Sequence, residues 1–105
     1  MGRGTALKLP NLRDFARGQP CTIRIPGVCN FDESTTVLCH DRSAGVAGIG
    51  QKPCDLNGAH GCSACHDVTD GRVKTHYTLD ERRAMFADAK SRTLERVWRY
   101  LTEGA

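Results

Sequence analysis

Cys62-Ser63-Ala64-Cys65-His66-Asp67-Val68-Thr69-Asp70 is the stretch on which the reading of this chain turns. Cys62 and Cys65 are spaced as a Cys-x2-Cys knuckle, which presents two thiolates at the separation zinc prefers. A helix starting near Cys65 puts His66 and Asp70 at i and i+4 on one face, where one nitrogen and one oxygen can share a second, harder divalent cation. The segment therefore predicts two metal sites side by side, one architectural and one chemical.

Such a short chain has reason to need the first. At 105 residues it forms a single domain at most, and it buries only about two-thirds of its unfolded surface. Hydrophobic residues make up 39% and aromatics 6%, with 11 glycines. Structural zinc contributes on the order of 10 kcal/mol to folding, as much as the net stability of a small domain. Six cysteines are present. They are read as metal-bound thiolates in a reducing, cytoplasmic setting rather than as three disulfides, because the opening residues MGRGTALKLPNLRDF have neither an apolar core nor a cleavage pattern. No run approaches membrane-spanning length. The net charge of +3 is compatible with nucleic acid but does not diagnose it.

Residues 1–10 are expected to be flexible and 11–105 to form one zinc-binding domain, with a core over 21–76 and a C-terminal helix over 78–103. Asn11 caps a helical turn ended by Gly18. The alternating, β-rich Cys21-Thr22-Ile23-Arg24-Ile25 predicts a strand, Pro26-Gly27 a turn, and residues 35–40 a second strand ending at His40. Residues 43–50 are glycine-rich but lack a following Gly-Lys-Ser/Thr, so they predict a connection rather than a nucleotide loop. Residues 53–61 read as a further loop, followed by a short helix from Ser63 to Asp70 closed by Gly71. Thr78-Leu79-Asp80-Glu81 is a capping box that opens the last helix. Its apolar stripe is Phe86, Ala89, Thr93, Val97 and Leu101, joined by Met85, Leu94 and Trp98. Arg82, Arg83, Lys90, Arg92, Arg96 and Arg99 lie mostly off that stripe, as a solvated face or as contacts to DNA.

Cys21 and Cys29, brought together across Pro26-Gly27, complete a four-thiolate zinc shell with Cys62 and Cys65. Cys39 and Cys54 are left as competitors for the zinc or as spare thiols behaving as small buried hydrophobes. His60 is the alternative zinc ligand and His76 a reserve ligand for the second ion. Asp67 gains from the helix N-terminus.

His40, Asp55 and His66 follow one another as histidine, polar residue, histidine. In this order the chain resembles the HNH, or ββα-metal, endonucleases, and within them the YbcO-type nucleases of prophages. The resemblance runs over about residues 11–76 and is carried by Cys21 to Asn30, His40-x-Arg42, Gly48-x-Gly50-x-Lys52, Asp55 and Cys62 to Asp67. It implies an α+β fold with a zinc-stapled, treble-clef-like ββα-metal core and a long C-terminal helix. It implies hydrolysis of a DNA phosphodiester in phage or prophage DNA processing or recombination. The partners implied are DNA and a phage or host recombination or replication protein.

The chemistry suits these residues. Imidazole titrates near neutrality, so His40 serves as the base that deprotonates water. Asp55 orients it through the far ring nitrogen. His66 and Asp70 hold Mg²⁺, Mn²⁺ or another divalent cation, and Arg42 and Lys52 contact flanking phosphates. The chain departs from the wider HNH pattern in having Cys39 before the first histidine, Asp55 where asparagine is usual (Asn57 is the alternative), and Asp70 in place of a second helix histidine. The competing reading is a non-catalytic zinc module that binds DNA or protein.

Overall fold

A computed structural model describes residues 10–42 and 54–104. The element order is α1 (Leu12–Ala16), a 3-10 turn (Glu33–Thr35), β1 (Val37–His40), β2 (Gly58–Gly61), α2 (Ser63–Thr69) and α3 (Leu79–Glu103). β1 and β2 form an antiparallel two-stranded sheet in the register Val37↔Gly61, Leu38↔His60, Cys39↔Ala59, His40↔Gly58. It is a small α+β fold in which the last helix, about 38 Å long, outspans everything else.

Local chemistry sets the helix ends. The Asn11 side chain accepts from the backbone N–H groups of Arg13 and Asp14 at the start of α1. At α3 the capping box forms in full: Glu81 N–H donates to Thr78 Oγ1 at 3.1 Å, and Thr78 N–H donates to Glu81 Oε1 at 2.8 Å. Gly104 ends α3 in the left-handed region at φ 75°, where glycine carries no side-chain penalty.

The core forms where segment 21–25, the sheet and α3 meet. Ile23, Ile25, Cys39, Ala59, Val68 and Ala89 are buried there together with three of the knuckle cysteines. α3 crosses the sheet with Ala89, Thr93 and Val97 facing inward. Thr93 Oγ1 lies 2.8 Å from Thr22 Oγ1 and accepts from His60 N–H at 3.1 Å, so one hydroxyl joins helix, strand and knuckle segment. Leu94 and Trp98, assigned to the apolar stripe from spacing, instead face solvent at 53% and 65% exposure.

Three other expectations are corrected. Residues 21–25 are buried but form no strand: Arg24 adopts φ 52°, which breaks the extended path and turns the chain back over Cys21. Thr22 keeps a single backbone bond to β2, donating to His60 C=O at 2.6 Å. The strand expected over 35–40 is shorter, because Thr35 closes the 3-10 turn and Thr36 caps it. The loop expected over 53–61 contains β2. That strand is Gly-Ala-His-Gly, a composition of low β-propensity, and close packing makes its glycines necessary. A Cβ on Gly61 would lie 2.6 Å from Ile23 Cδ1 and 2.8 Å from Cys39 Sγ, and one on Gly58 would lie 2.5 Å from Cys39 C=O. The glycine-rich stretch 43–50 lies outside the described residues.

Candidate metal centre and basic cleft

Cys21, Cys29, Cys62 and Cys65 converge, with their four sulfurs within 4.8 Å of one another. Zn–S bonds of about 2.3 Å in a tetrahedron put sulfurs about 3.8 Å apart, and Cys62 Sγ to Cys29 Sγ is 3.8 Å. The group can hold a metal ion such as zinc. Each knuckle is shaped by backbone N–H groups directed at sulfur. Arg24 N–H donates to Cys21 Sγ at 3.5 Å, Cys65 N–H to Cys62 Sγ at 3.4 Å, and Ile25 N–H to Cys65 Sγ at 3.4 Å. The turn over Pro26-Gly27 closes with Val28 and Cys29 N–H groups on Ile25 C=O, which carries Cys29 back to Cys21 as expected.

Hydrogen bonding between sulfurs pulls members of the cluster in opposite directions. The hydrogen bond from Cys65 pulls the Cys21 thiol down to about 4 against the effect of burial. The same contact, followed by burial, pushes Cys65 up. Burial also pushes Cys29 up, and a cation bound among the sulfurs would supply the charge that keeps all four ionised. Cys39 differs: burial first, and the charge of Asp70 next, push its thiol up to about 12. It stays a neutral thiol, directed at Val37 C=O, and belongs to the core, whereas Cys54, expected to be buried in the same way, is exposed at the turn entering β2.

His40 ends β1, and its Nε2 lies 2.6 Å from Asp55 Oδ1. Asp55 sits in the turn entering β2, which closes through Asn57 N–H on Cys54 C=O at 2.9 Å. The bond to His40 holds the Asp55 carboxyl below the usual carboxylate range, with the nearby Arg13 adding to the effect. Arg13 Nε stands 3.6 Å away. Asn57, the alternative for this position, is used elsewhere: its Oδ1 accepts from Lys90 Nζ at 3.0 Å.

On α2, His66 Nε2 lies 3.3 Å from Asp70 Oδ2, the i and i+4 pairing expected from spacing. Arg72 also reaches this carboxylate, with Nη2 3.3 Å from Asp70 Oδ2 and Nη1 3.7 Å from Asp67 Oδ1. His60, the alternative zinc ligand, is not part of the sulfur group among the described residues. It is buried with its Nδ1 2.9 Å from Arg96 Nη1 and its ring edge-on to Phe15 at 5.7 Å, outside the sulfur cluster. Burial first, then Arg96, lowers it to about 4, so the ring is neutral. His76 packs against the ring of Tyr77. Lys52 lies outside the described residues.

A cleft of about 370 Å³ opens between the end of β1, the end of α2 and the first half of α3. His40, Arg42 and Asp70 line it, whereas Asp55 and His66 are not among its lining residues. Its α3 wall supplies Arg82, Arg83 and Lys90. Sequence reasoning missed the anchoring role of Lys90, whose Nζ bridges Asp41 Oδ2 and Asn57 Oδ1. Those acceptors lie 49 and 33 residues away along the chain, beside the ends of the two strands, and no local pattern signals the link.

The family model described as "Putative nuclease YbcO" matches residues 10–102. This chain belongs to the YbcO family. "Putative nuclease YbcO" of Escherichia coli (strain K12) and "Putative nuclease ybcO" of Enterobacteria phage 82 are each 51% identical to it over 69 residues, covering 66% of this chain and 70% of the relative. A solved structure, described as "Structure of a putative bacteriophage protein from Escherichia coli str. K-12 substr. MG1655", matches with a TM-score of 0.68 at 38% identity. It covers 88% of this chain and 98% of that one. Among the described residues of this YbcO-family chain, no helix is long and apolar enough to cross a membrane.

Proposed function

We propose that this chain is a metal-dependent DNA endonuclease of HNH type, a single cytoplasmic domain with a treble-clef-like zinc core that acts in phage or prophage DNA processing. The observation that carries the reading is the shared cleft: His40, already paired with a carboxylate, and Asp70, already paired with His66, line one cavity walled by arginines.

The residues divide the work as follows. Ionised Asp55 accepts the Nε2 proton of His40, which leaves Nδ1 with the lone pair that takes a proton from water. His66 and Asp70 offer one nitrogen and one oxygen, a donor set that fits Mg²⁺, Mn²⁺ or a related divalent cation. Such an ion, when bound, stabilises charge on the phosphate and on the leaving oxygen. Arg42, with Arg82 and Arg83 across the cleft, holds the phosphates on either side of the scissile bond, and Lys52 takes the same role on the sequence pattern alone. The names of the relatives support the nuclease class.

One observation favours the non-catalytic alternative. Arg72 already neutralises Asp70 from 3.3 Å, so an incoming cation must share or displace that guanidinium. Plasmid nicking with Mg²⁺, Mn²⁺ or Ni²⁺ separates the two readings. Wild type should nick and His40→Ala should lose about 100-fold or more in rate while keeping its fold. DNA binding without cleavage under every metal would leave only the binding module. Anomalous scattering from manganese-soaked crystals should place an ion beside His66.

A further inference from the structure

The second half of α3 builds a separate groove of about 410 Å³ against α1 and the Cys21 segment. Arg24, Arg92, Arg96 and Arg99 line it, with Phe15 and Tyr100 forming one wall as a stacked ring pair at 4.0 Å. Glu95 and Glu103 also line it, so four guanidiniums face two carboxylates. Arg99 is paired with Glu95 at 2.9 Å. Among the described residues no carboxylate lies within 4.0 Å of the other three guanidiniums.

Those three are held by neutral acceptors instead. Arg96 Nη1 donates to Pro20 C=O at 2.8 Å, Arg24 Nε to Cys21 C=O at 3.0 Å, and Arg92 Nη2 to Thr22 C=O at 2.6 Å. Three consecutive carbonyls thus orient three guanidiniums without cancelling their charge. A guanidinium has five N–H donors, so each keeps donors to spare. A positive groove with fixed forks and a flat aromatic wall suits an anion repeated along a chain, and planar forks match phosphate oxygens.

We propose that this groove is a second binding site for the phosphodiester backbone of nucleic acid, distinct from the cleft. Arg83 of the cleft and Arg99 of the groove are 16 residues apart, about four and a half helical turns, so they project from opposite sides of α3. A phosphate held here is therefore not one held beside His40. The proposal rests on the chain's being a nucleic-acid protein, but not on its cutting DNA.

The test is fluorescence anisotropy of the full, zinc-loaded chain with a labelled 30-nucleotide single strand and a labelled 30-base-pair duplex across a salt series. Arg99→Glu, which leaves Glu95 without its guanidinium and turns four guanidiniums against two carboxylates into three against three, should bind at least one probe about 5- to 20-fold more weakly at low salt and flatten the log–log salt slope by about 1 to 2. Arg99→Gln, which suits a helix and adds no charge, should give a smaller loss in the same direction and serves if the reversal disturbs folding. Zinc content and melting temperature matching wild type show that the variant is intact. Unchanged affinity and slope in an intact variant would overturn the proposal. So would a wild type that binds neither probe, or a 20-residue poly-glutamate that competes better than DNA and loses its grip in Arg99→Glu. Nicking by wild type that His40→Ala abolishes, alongside an unmoved salt slope in Arg99→Glu, would leave the nuclease reading standing and this one fallen.

Discussion

Gly61→Ala tests the packing that places the candidate site, because β2 can lie against segment 21–25 only without a side chain at this position. The added Cβ would meet Ile23 Cδ1 at 2.6 Å and Cys39 Sγ at 2.8 Å. Carbon atoms rest at about 3.5–4.0 Å, so the overlap with Cδ1 is about 1 Å. Overpacking of this kind costs about 1–3 kcal/mol, reduced by a few tenths because alanine restricts the unfolded chain. The net expectation is about 2 kcal/mol. Ile23→Val alone should cost about 1 kcal/mol, since Ile23 is 2% exposed and loses a buried methyl. In the double variant the removed methyl is the one that clashes. The next Ile23 atom, Cγ1, stands at an ordinary 3.5 Å, although the sulfur contact remains. The two changes should therefore couple by about 1 kcal/mol, and the double variant should cost about 2 rather than 3 kcal/mol. In thermal unfolding at matched zinc loading, Ile23→Val should lower Tm by about 4–8 °C in wild type and by almost nothing in Gly61→Ala. Additive losses would show that β2 does not pack on Ile23 as described.

Three further outcomes follow from the same geometry. Elemental analysis should give one zinc per chain, and Cys65→Ser or strong chelation should unfold the protein, because about 10 kcal/mol of metal binding rivals the whole net stability; equal Tm for Cys65→Ser and wild type would contradict this. The lowered Asp55 carboxyl contributes stability that is present above the ordinary carboxylate pKa near 4 and lost as pH falls through its folded value. Acid unfolding monitored by circular dichroism should accordingly show a shallower pH dependence below about pH 4 in Asp55→Asn than in wild type. Thr93→Val removes the hydroxyl that accepts from His60 N–H, but Thr22 Oγ1 still accepts there at 3.2 Å. The cost in urea unfolding should stay near 1 kcal/mol, at the low end for a buried polar loss.

The parts of this protein legible in its sequence are those set by near neighbours along the chain. The capping box at Thr78 and Glu81, the Cys62/Cys65 knuckle and the His66/Asp70 pairing all depend on spacings of three or four residues, which a helical turn or knuckle converts directly into contact. The Cys21/Cys29 approach was legible for the same reason, a single turn at Pro26-Gly27. Tertiary structure decided the remainder. Gly58–Gly61 has no strand-forming side chains and becomes β2 only because its missing Cβ atoms admit Ile23 and Cys39. Segment 21–25 has strand composition yet turns at Arg24 to wrap the sulfur cluster. The choice of Asp55 over Asn57 for His40, and the Lys90 bridge between the strand ends, depend on side chains from distant segments meeting in space. A one-dimensional pattern records which groups are available, whereas burial and close packing determine which of them come within reach.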